Sequence, residues 1–125
     1  MNFLIDYILL FLLIIFFDSI FLTLMSNHFN SQVALIQGQG IELRNIGVVL
    51  FYLSFTLGIY YFGIIKKIKI KEAFFLGLFC YSVFELTNYS IFKSWKFSTV
   101  LIDTVWGGVL FSIVIYLFRT IKNIL

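Results

Sequence analysis

Four long apolar segments dominate the chain and leave little sequence for any other kind of fold. They extend over residues 3–25, 46–65, 73–92 and 99–118. Each is close to the roughly 20 residues that an α-helix, rising about 1.5 Å per residue, needs to cross a hydrocarbon core of about 30 Å. Each segment is therefore predicted to span a membrane once.

Helices are the secondary structure that these segments predict. In lipid, only helices and closed barrels satisfy every backbone hydrogen bond, and the segments lack the alternation of barrel strands. Hydrophobic residues make up 62% of the chain and charged residues 12%, against about half and about a quarter in soluble domains. We therefore predict an all-α integral membrane bundle of four transmembrane helices, forming a single transmembrane domain over residues 1–125.

The connections between the segments predict how the helices are arranged. Those at residues 66–72 and 93–98 are short, which favours antiparallel neighbours. The connection at residues 26–45 is longer and contains Gly38 and Gly40, which predict a turn. Four apolar residues predict a short amphipathic stretch of this connection on the membrane surface: Phe29, Val33, Ile36 and Ile41.

Basic residues predict the orientation. One predicted side carries six lysine or arginine residues, namely Lys66, Lys67, Lys69, Lys71, Arg119 and Lys122. The opposite side carries three, namely Arg44, Lys93 and Lys96. The positive-inside rule then predicts that both termini are cytoplasmic. We expect the first segment to be a retained helix, because no basic region precedes it and no small-residue cleavage site follows it.

Acidic residues inside the predicted spans are the most informative functional signal. Such a residue costs about 2.5–3.5 kcal/mol at the centre of a span on insertion scales, so it usually faces the bundle interior and marks function. With cytoplasmic termini, Asp18, Glu85 and Asp103 lie at similar depth in the outer half of the membrane. They are predicted to converge, whereas Asp6 is predicted at the inner interface.

Polar and aromatic neighbours extend this candidate site. Asn88 and Tyr81 share a helix face with Glu85, and Trp106 shares one with Asp103. Carboxyl groups that share a site of low dielectric constant cannot all stay ionised at low cost. That property suits proton donation, hydrogen bonding to a polar headgroup, or the holding of a cation.

A structural interpretation competes with this one. Asp18 and Asp103 can reach the interface along their own helices, and Glu85 and Asn88 can join helices by hydrogen bonds. Several aromatic residues near the predicted span ends favour an interfacial belt over a ligand site: Tyr52, Tyr60, Tyr61, Trp95 and Trp106.

Some cofactor classes fit the sequence poorly. His28 is the single histidine and Cys80 the single cysteine, which is too few for a histidine-ligated di-iron site, a bis-histidine haem or a cysteine metal cluster. The predicted spans contain no lysine, which argues against a retinal Schiff base. We expect His28 to be an exposed loop residue and predict no metal site, and the sequence leaves the cofactor unknown.

Two motifs resemble the signature of a known family. The stretch Phe84-Glu85-Leu86-Thr87-Asn88, followed by Trp95, and the stretch Asp103-Thr104-Val105-Trp106-Gly107 are similar to the domain-of-unknown-function 2177 family of small predicted membrane proteins. Phe17-Asp18, Phe51-Tyr52-Leu53 and Gly58-Ile59 extend the similarity over nearly the whole chain. The family commonly has aspartate where Glu85 stands, so the acid is kept. The resemblance implies a four-helix membrane protein of undefined activity, with these signature positions: Asp18, Glu85, Asn88, Trp95, Asp103 and Trp106.

Three functions remain open from the sequence, and whether the protein is an enzyme is one of the open points. The first is a binder or modifier of a lipid-like molecule, with Glu85, Asn88 and Asp103 around its polar end. The second is a proton- or cation-coupled transporter or channel, for which four helices would need to form a homo-oligomer. The third is a structural or assembly protein of a membrane, including a viral one. The expected partners are the lipid bilayer, a lipid-like ligand and a second copy of the chain, with no nucleic acid.

Overall fold

The apolar segments fold as helices in the computed structural model, which describes residues 2–125. Within these residues the chain forms five α-helices and no strand. The helices are α1 (Phe3–Leu24), α2 (Ser26–Gln37), α3 (Asn45–Ile59), α4 (Ile70–Ile91) and α5 (Phe97–Ile124). A π-helical stretch, Tyr60–Ile65, continues α3 without a break.

Three stretches of helix are long and apolar enough to cross a membrane: Phe3–Leu24, Asn45–Ile65 and Phe97–Ile124. They correspond to three of the four predicted spans. The fourth predicted span corresponds to α4, which has 22 residues but is less apolar, because Glu85, Thr87 and Asn88 lie in its C-terminal half.

The helix boundaries differ from the predicted ones mainly at two places. The C-terminal helix, predicted to end at residue 118, continues to Ile124. The first connection contains a regular helix of 12 residues, α2, which ends at Gly38 in the left-handed conformation with φ +81°. Glycine is favoured there because a side chain makes positive φ costly.

Glycines allow α4 and α5 to pack against each other more extensively than any other pair of helices. Gly77 of α4 lies directly against Gly107 and Gly108 of α5, so a Cβ atom on Gly77 would overlap the Gly107 carbonyl oxygen. Small residues at such contacts bring two helix backbones close together, which is how helices commonly associate in membranes. The apolar core beside this contact consists of Leu10, Ile14, Ile59, Ala73, Leu110, Phe111, Val114, Ile115 and Phe118.

Charged side chains join the helix ends near the two termini. Asp6, which is 3% exposed, forms an ion pair of 2.8 Å with Lys122. Arg119 donates to the carbonyl oxygens of Gly63 at 3.0 Å and Ile68 at 2.7 Å. Asp6 therefore lies inside the bundle and not on its outer surface. Lys122 of α5 compensates its charge there.

Candidate functional site

Two acidic residues face each other across the α4–α5 contact. The carboxyl groups of Glu85 on α4 and Asp103 on α5 lie close to each other, and their side chains are 1% and 9% exposed. Gly107 follows Asp103 by one helical turn, so the close approach of the two backbones at Gly77 and Gly107 brings the acids within reach. Two carboxyl groups this close repel each other when both are ionised and attract each other when one carries a proton.

Trp95 completes the hydrogen bonding of Glu85. Its indole Nε1 donates to Glu85 Oε1 at 2.8 Å, and both groups are buried. Trp95 lies in the turn between α4 and α5, where its backbone N–H donates to the Phe92 carbonyl at 3.0 Å. This turn directs the indole back toward α4. Trp95 therefore lies inside the bundle although it belongs to the connection.

Asp18 on α1 is a third buried acid near this pair, and two aromatic residues donate hydrogen bonds to it. The Tyr52 hydroxyl on α3 donates to Asp18 Oδ2 at 2.6 Å, and Trp106 Nε1 on α5 donates to Asp18 Oδ1 at 3.1 Å. Phe21 stacks on the Trp106 indole, with ring centroids 4.6 Å apart and planes 2° apart. Asp18 also lies close to Asp103. We call Asp18, Glu85 and Asp103 the acidic cluster.

The remaining predicted site residues, Tyr81 and Asn88, occupy different positions. Tyr81 lies near the cluster, because its ring blocks the space beside Gly107 and it lies within electrostatic reach of Asp18 and Asp103. Asn88 is half-buried, and no hydrogen bond within residues 2–125 joins its amide to the cluster. The structure therefore brings together six of the seven predicted residues: Asp18, Tyr81, Glu85, Trp95, Asp103 and Trp106.

Basic side chains do not neutralise this cluster. In the part of the chain that the structure describes, the ion pair between Lys122 and Asp6 is the single contact of its kind. The hydrogen bonds to the cluster come from neutral donors, namely two indoles and a phenol. The cluster is thus a set of buried carboxyl groups for which residues 2–125 supply neutral hydrogen-bond donors and no ion-pair partner.

A second polar network, which the sequence did not predict, joins α2 to the α4–α5 connection. Gln32 of α2 is 2% exposed and donates to the Ser94 carbonyl at 2.8 Å. Its Oε1 accepts from the Lys96 backbone N–H at 2.8 Å and the Thr99 hydroxyl at 2.6 Å. We call these residues, together with His28, the Gln32 network. A signal was present, because Gln32 follows the apolar Phe29 by three residues and so lies on the buried face of α2.

His28 corrects one expectation. It was predicted as an exposed loop residue, but it lies on α2 and is half-buried, with Nε2 2.7 Å from Thr99 Oγ1. The Thr99 hydroxyl already donates its hydrogen to Gln32, so His28 Nε2 is the donor in this contact. The prediction was wrong because the connection folds as a helix against the bundle.

Tyr52 also has a different role from the expected one. It was assigned to an interfacial aromatic belt, but its hydroxyl is one of the two donors to Asp18. The sequence could not show this, since the position of Tyr52 relative to Asp18 depends on how α1 and α3 pack.

Fold and site together define a small helical membrane protein with carboxyl groups buried between its helices. Residues 3–118 match the model of a family described as predicted membrane protein, domain of unknown function 2177. The chain belongs to this family, which confirms the resemblance found in the two sequence motifs. No curated protein and no solved structure matches the chain.

Proposed function

We propose that the protein is a four-span integral membrane protein that binds and exchanges a proton at the acidic cluster, as proton-coupled transport requires. The close approach of the buried carboxyl groups of Glu85 and Asp103, with no ion-pair partner among residues 2–125, supports this proposal. Two buried carboxyl groups in close contact are expected to share one proton, because two negative charges there would repel each other. Release of that proton leaves two buried carboxylates that have no ion-pair partner among residues 2–125. The protonated and deprotonated states of the pair are therefore expected to differ in stability.

The four-span topology rests on the packing of α4 along α5. Glu85 lies on the side of α4 that contacts α5, where Trp95 donates to it and Asp103 lies close to it. A helix whose acid is satisfied inside the bundle can cross a membrane at lower cost than its overall hydropathy implies. With α4 as a span, the lysine-rich connection and both termini share one side, which the positive-inside rule assigns to the cytoplasm.

Binding of a lipid-like molecule at the same cluster is the weaker alternative. The acids would have to accept hydrogen bonds from the polar end of such a ligand. Trp95 already donates to Glu85, and Tyr52 and Trp106 already donate to Asp18. A ligand would therefore have to displace donors that the protein itself provides, with no net gain in hydrogen bonds.

Glu85→Gln separates proton binding from a purely structural role. The amide oxygen of glutamine still accepts from Trp95, and its N–H₂ donates to Asp103 in place of the shared proton. We expect this variant to fold with near wild-type thermal stability. In infrared difference spectra recorded across a pH titration in detergent, the wild type should show the C=O stretch of a buried protonated carboxyl group, and the variant should lose that band.

A flux measurement extends this test to transport. Wild-type protein in liposomes that contain a pH-sensitive dye should collapse an imposed pH gradient faster than empty liposomes, and Glu85→Gln should return the rate to the empty-liposome value. A matched control is Glu72→Gln, because Glu72 is exposed and caps α4 outside the cluster. Equal infrared spectra and equal flux for the wild type and Glu85→Gln would overturn the proposal.

A further inference from the structure

An apolar groove lies on the outer surface of α3 and its π-helical continuation, and no residue of the acidic cluster lines it. Its volume is about 740 Å³. Its lining includes Phe3 of α1 and Ser54, Gly58, Tyr61 and Ile65; we call it the tyrosine groove. The Phe3 ring meets the Tyr60 ring edge-on at 4.9 Å, which joins α1 to this surface.

Gly58 leaves part of the tyrosine groove open. A Cβ atom built on Gly58 would meet no heavy atom within 4 Å, whereas one on Gly63, a few residues further along, would come within 2.9 Å of Ile115. Gly63 is therefore required by packing and Gly58 is not. A larger side chain at Gly58 would project into the groove without disturbing the contacts of the bundle.

Lysines lie at one end of the groove. The Lys66 Nζ atom is 5.6 Å from the centroid of the Tyr61 ring, and Tyr61 itself lines the groove. Lys66 is followed by Lys67, Lys69 and Lys71, and all four side chains are exposed. The nearby Glu72 carboxylate accepts from the Lys69 backbone N–H at 2.8 Å, so it caps α4. This end of the groove therefore combines a long apolar surface with an excess of positive charge.

We propose that the tyrosine groove binds one anionic phospholipid, with an acyl chain along Gly58 and Tyr61 and the phosphate at Lys66 and Lys67. The positive charge of the lysines favours an anionic lipid as the occupant of the groove. An uncharged or zwitterionic lipid can fill the apolar part equally well, but an anionic headgroup gains attraction from each lysine near the membrane surface. The proposal is independent of the acidic cluster and does not require that the protein moves protons.

Lipid competition tests this site. The detergent-purified protein is incubated with equal amounts of a phosphatidylglycerol and a phosphatidylcholine that carry the same acyl chains, and native mass spectrometry measures the lipid retained. The wild type should retain the phosphatidylglycerol preferentially. Because each lysine near the surface contributes to anionic-lipid attraction, the double variant Lys66→Gln/Lys67→Gln should lower that affinity roughly thirtyfold. Gly58→Leu should lower retention of both lipids.

The double variant Lys93→Gln/Lys96→Gln is the matched control, since it removes the same charge from the connection between α4 and α5. It should retain the phosphatidylglycerol as the wild type does. Equal retention of both lipids by the wild type would overturn the proposal. An equal loss in the two double variants would show that net charge alone attracts the lipid, and an unchanged Gly58→Leu would show that the acyl chain does not occupy the groove.

Discussion

Gly77→Ala is expected to be the most damaging small substitution in the chain. The added methyl group would overlap the Gly107 carbonyl oxygen and lie 2.9 Å from the Gly108 Cα atom. These are backbone atoms, which cannot rotate away as a side chain can, so α4 and α5 must move apart. Overpacking typically costs 1–3 kcal/mol and occasionally more, and we expect about 3 kcal/mol here. Thermal unfolding followed by circular dichroism in detergent measures the loss.

Gly47→Ala is the matched control for this prediction. Gly47 lies in α3, and a Cβ atom there would meet no heavy atom within 4 Å. Alanine is about 0.8–1 kcal/mol more favourable than glycine in a helix interior, so this variant should unfold at or slightly above the wild-type temperature. Equal unfolding temperatures for Gly77→Ala and Gly47→Ala would show that the two helices are not held at the distance described.

The same substitution links packing to the acidic cluster. Glu85 and Asp103 are within hydrogen-bonding reach because the two helix backbones are close at Gly77 and Gly107. Separating α4 from α5 lengthens the carboxyl–carboxyl contact even if the bundle stays folded. In Gly77→Ala protein, the infrared band of the shared proton should therefore shift or disappear together with the loss of thermal stability.

The sequence predicted the helices well because their signal is local. An apolar run of about 20 residues is helical in lipid whatever its neighbours are, and the predicted segments lie close to α1, α3, α4 and α5. A common depth of Asp18, Glu85 and Asp103 was predicted by counting residues along the four predicted spans. That argument needs no knowledge of which helices touch.

The partners of each acid could not be predicted in this way. Whether Tyr52 reaches Asp18 depends on the rotation of α3 about its own axis, and whether Trp95 reaches Glu85 depends on the path of a short turn. The docking of α2 against the rest of the bundle was not predicted for a related reason, although an amphipathic stretch was predicted in this connection. The sequence of α2 is polar enough to resemble a surface connection. Its buried residue is Gln32, whose burial is tolerated because Ser94, Lys96 and Thr99 form hydrogen bonds with its amide.

Gln32→Leu is expected to release α2 from the rest of the protein. Leucine has a similar volume but forms no hydrogen bond, so the Ser94 carbonyl and the Lys96 N–H lose a partner and the Thr99 hydroxyl must find another. Leaving a buried polar group unsatisfied costs about 1–3 kcal/mol, so the loss of this network should destabilise the docking of α2 by roughly 3 kcal/mol or more. Hydrogen–deuterium exchange of the Ser26–Gln37 amides should then become markedly faster than in the wild type.

Gln39→Leu supplies the control for this release, because Gln39 is exposed just beyond the end of α2. The same change of side chain there should leave exchange in α2 unaltered. Faster exchange confined to α2 in the Gln32→Leu protein would mean that α2 docks as a separate unit over α1 and the α4–α5 connection.

Release of α2 should also change the fluorescence of Trp106. Phe29 of α2 contacts Phe21, and Phe21 stacks on the Trp106 indole that donates to Asp18. The measurement is made in a Trp95→Phe background, so that Trp106 is the emitting tryptophan. Wild-type exchange rates in Gln32→Leu would show instead that apolar contacts alone hold α2 in place.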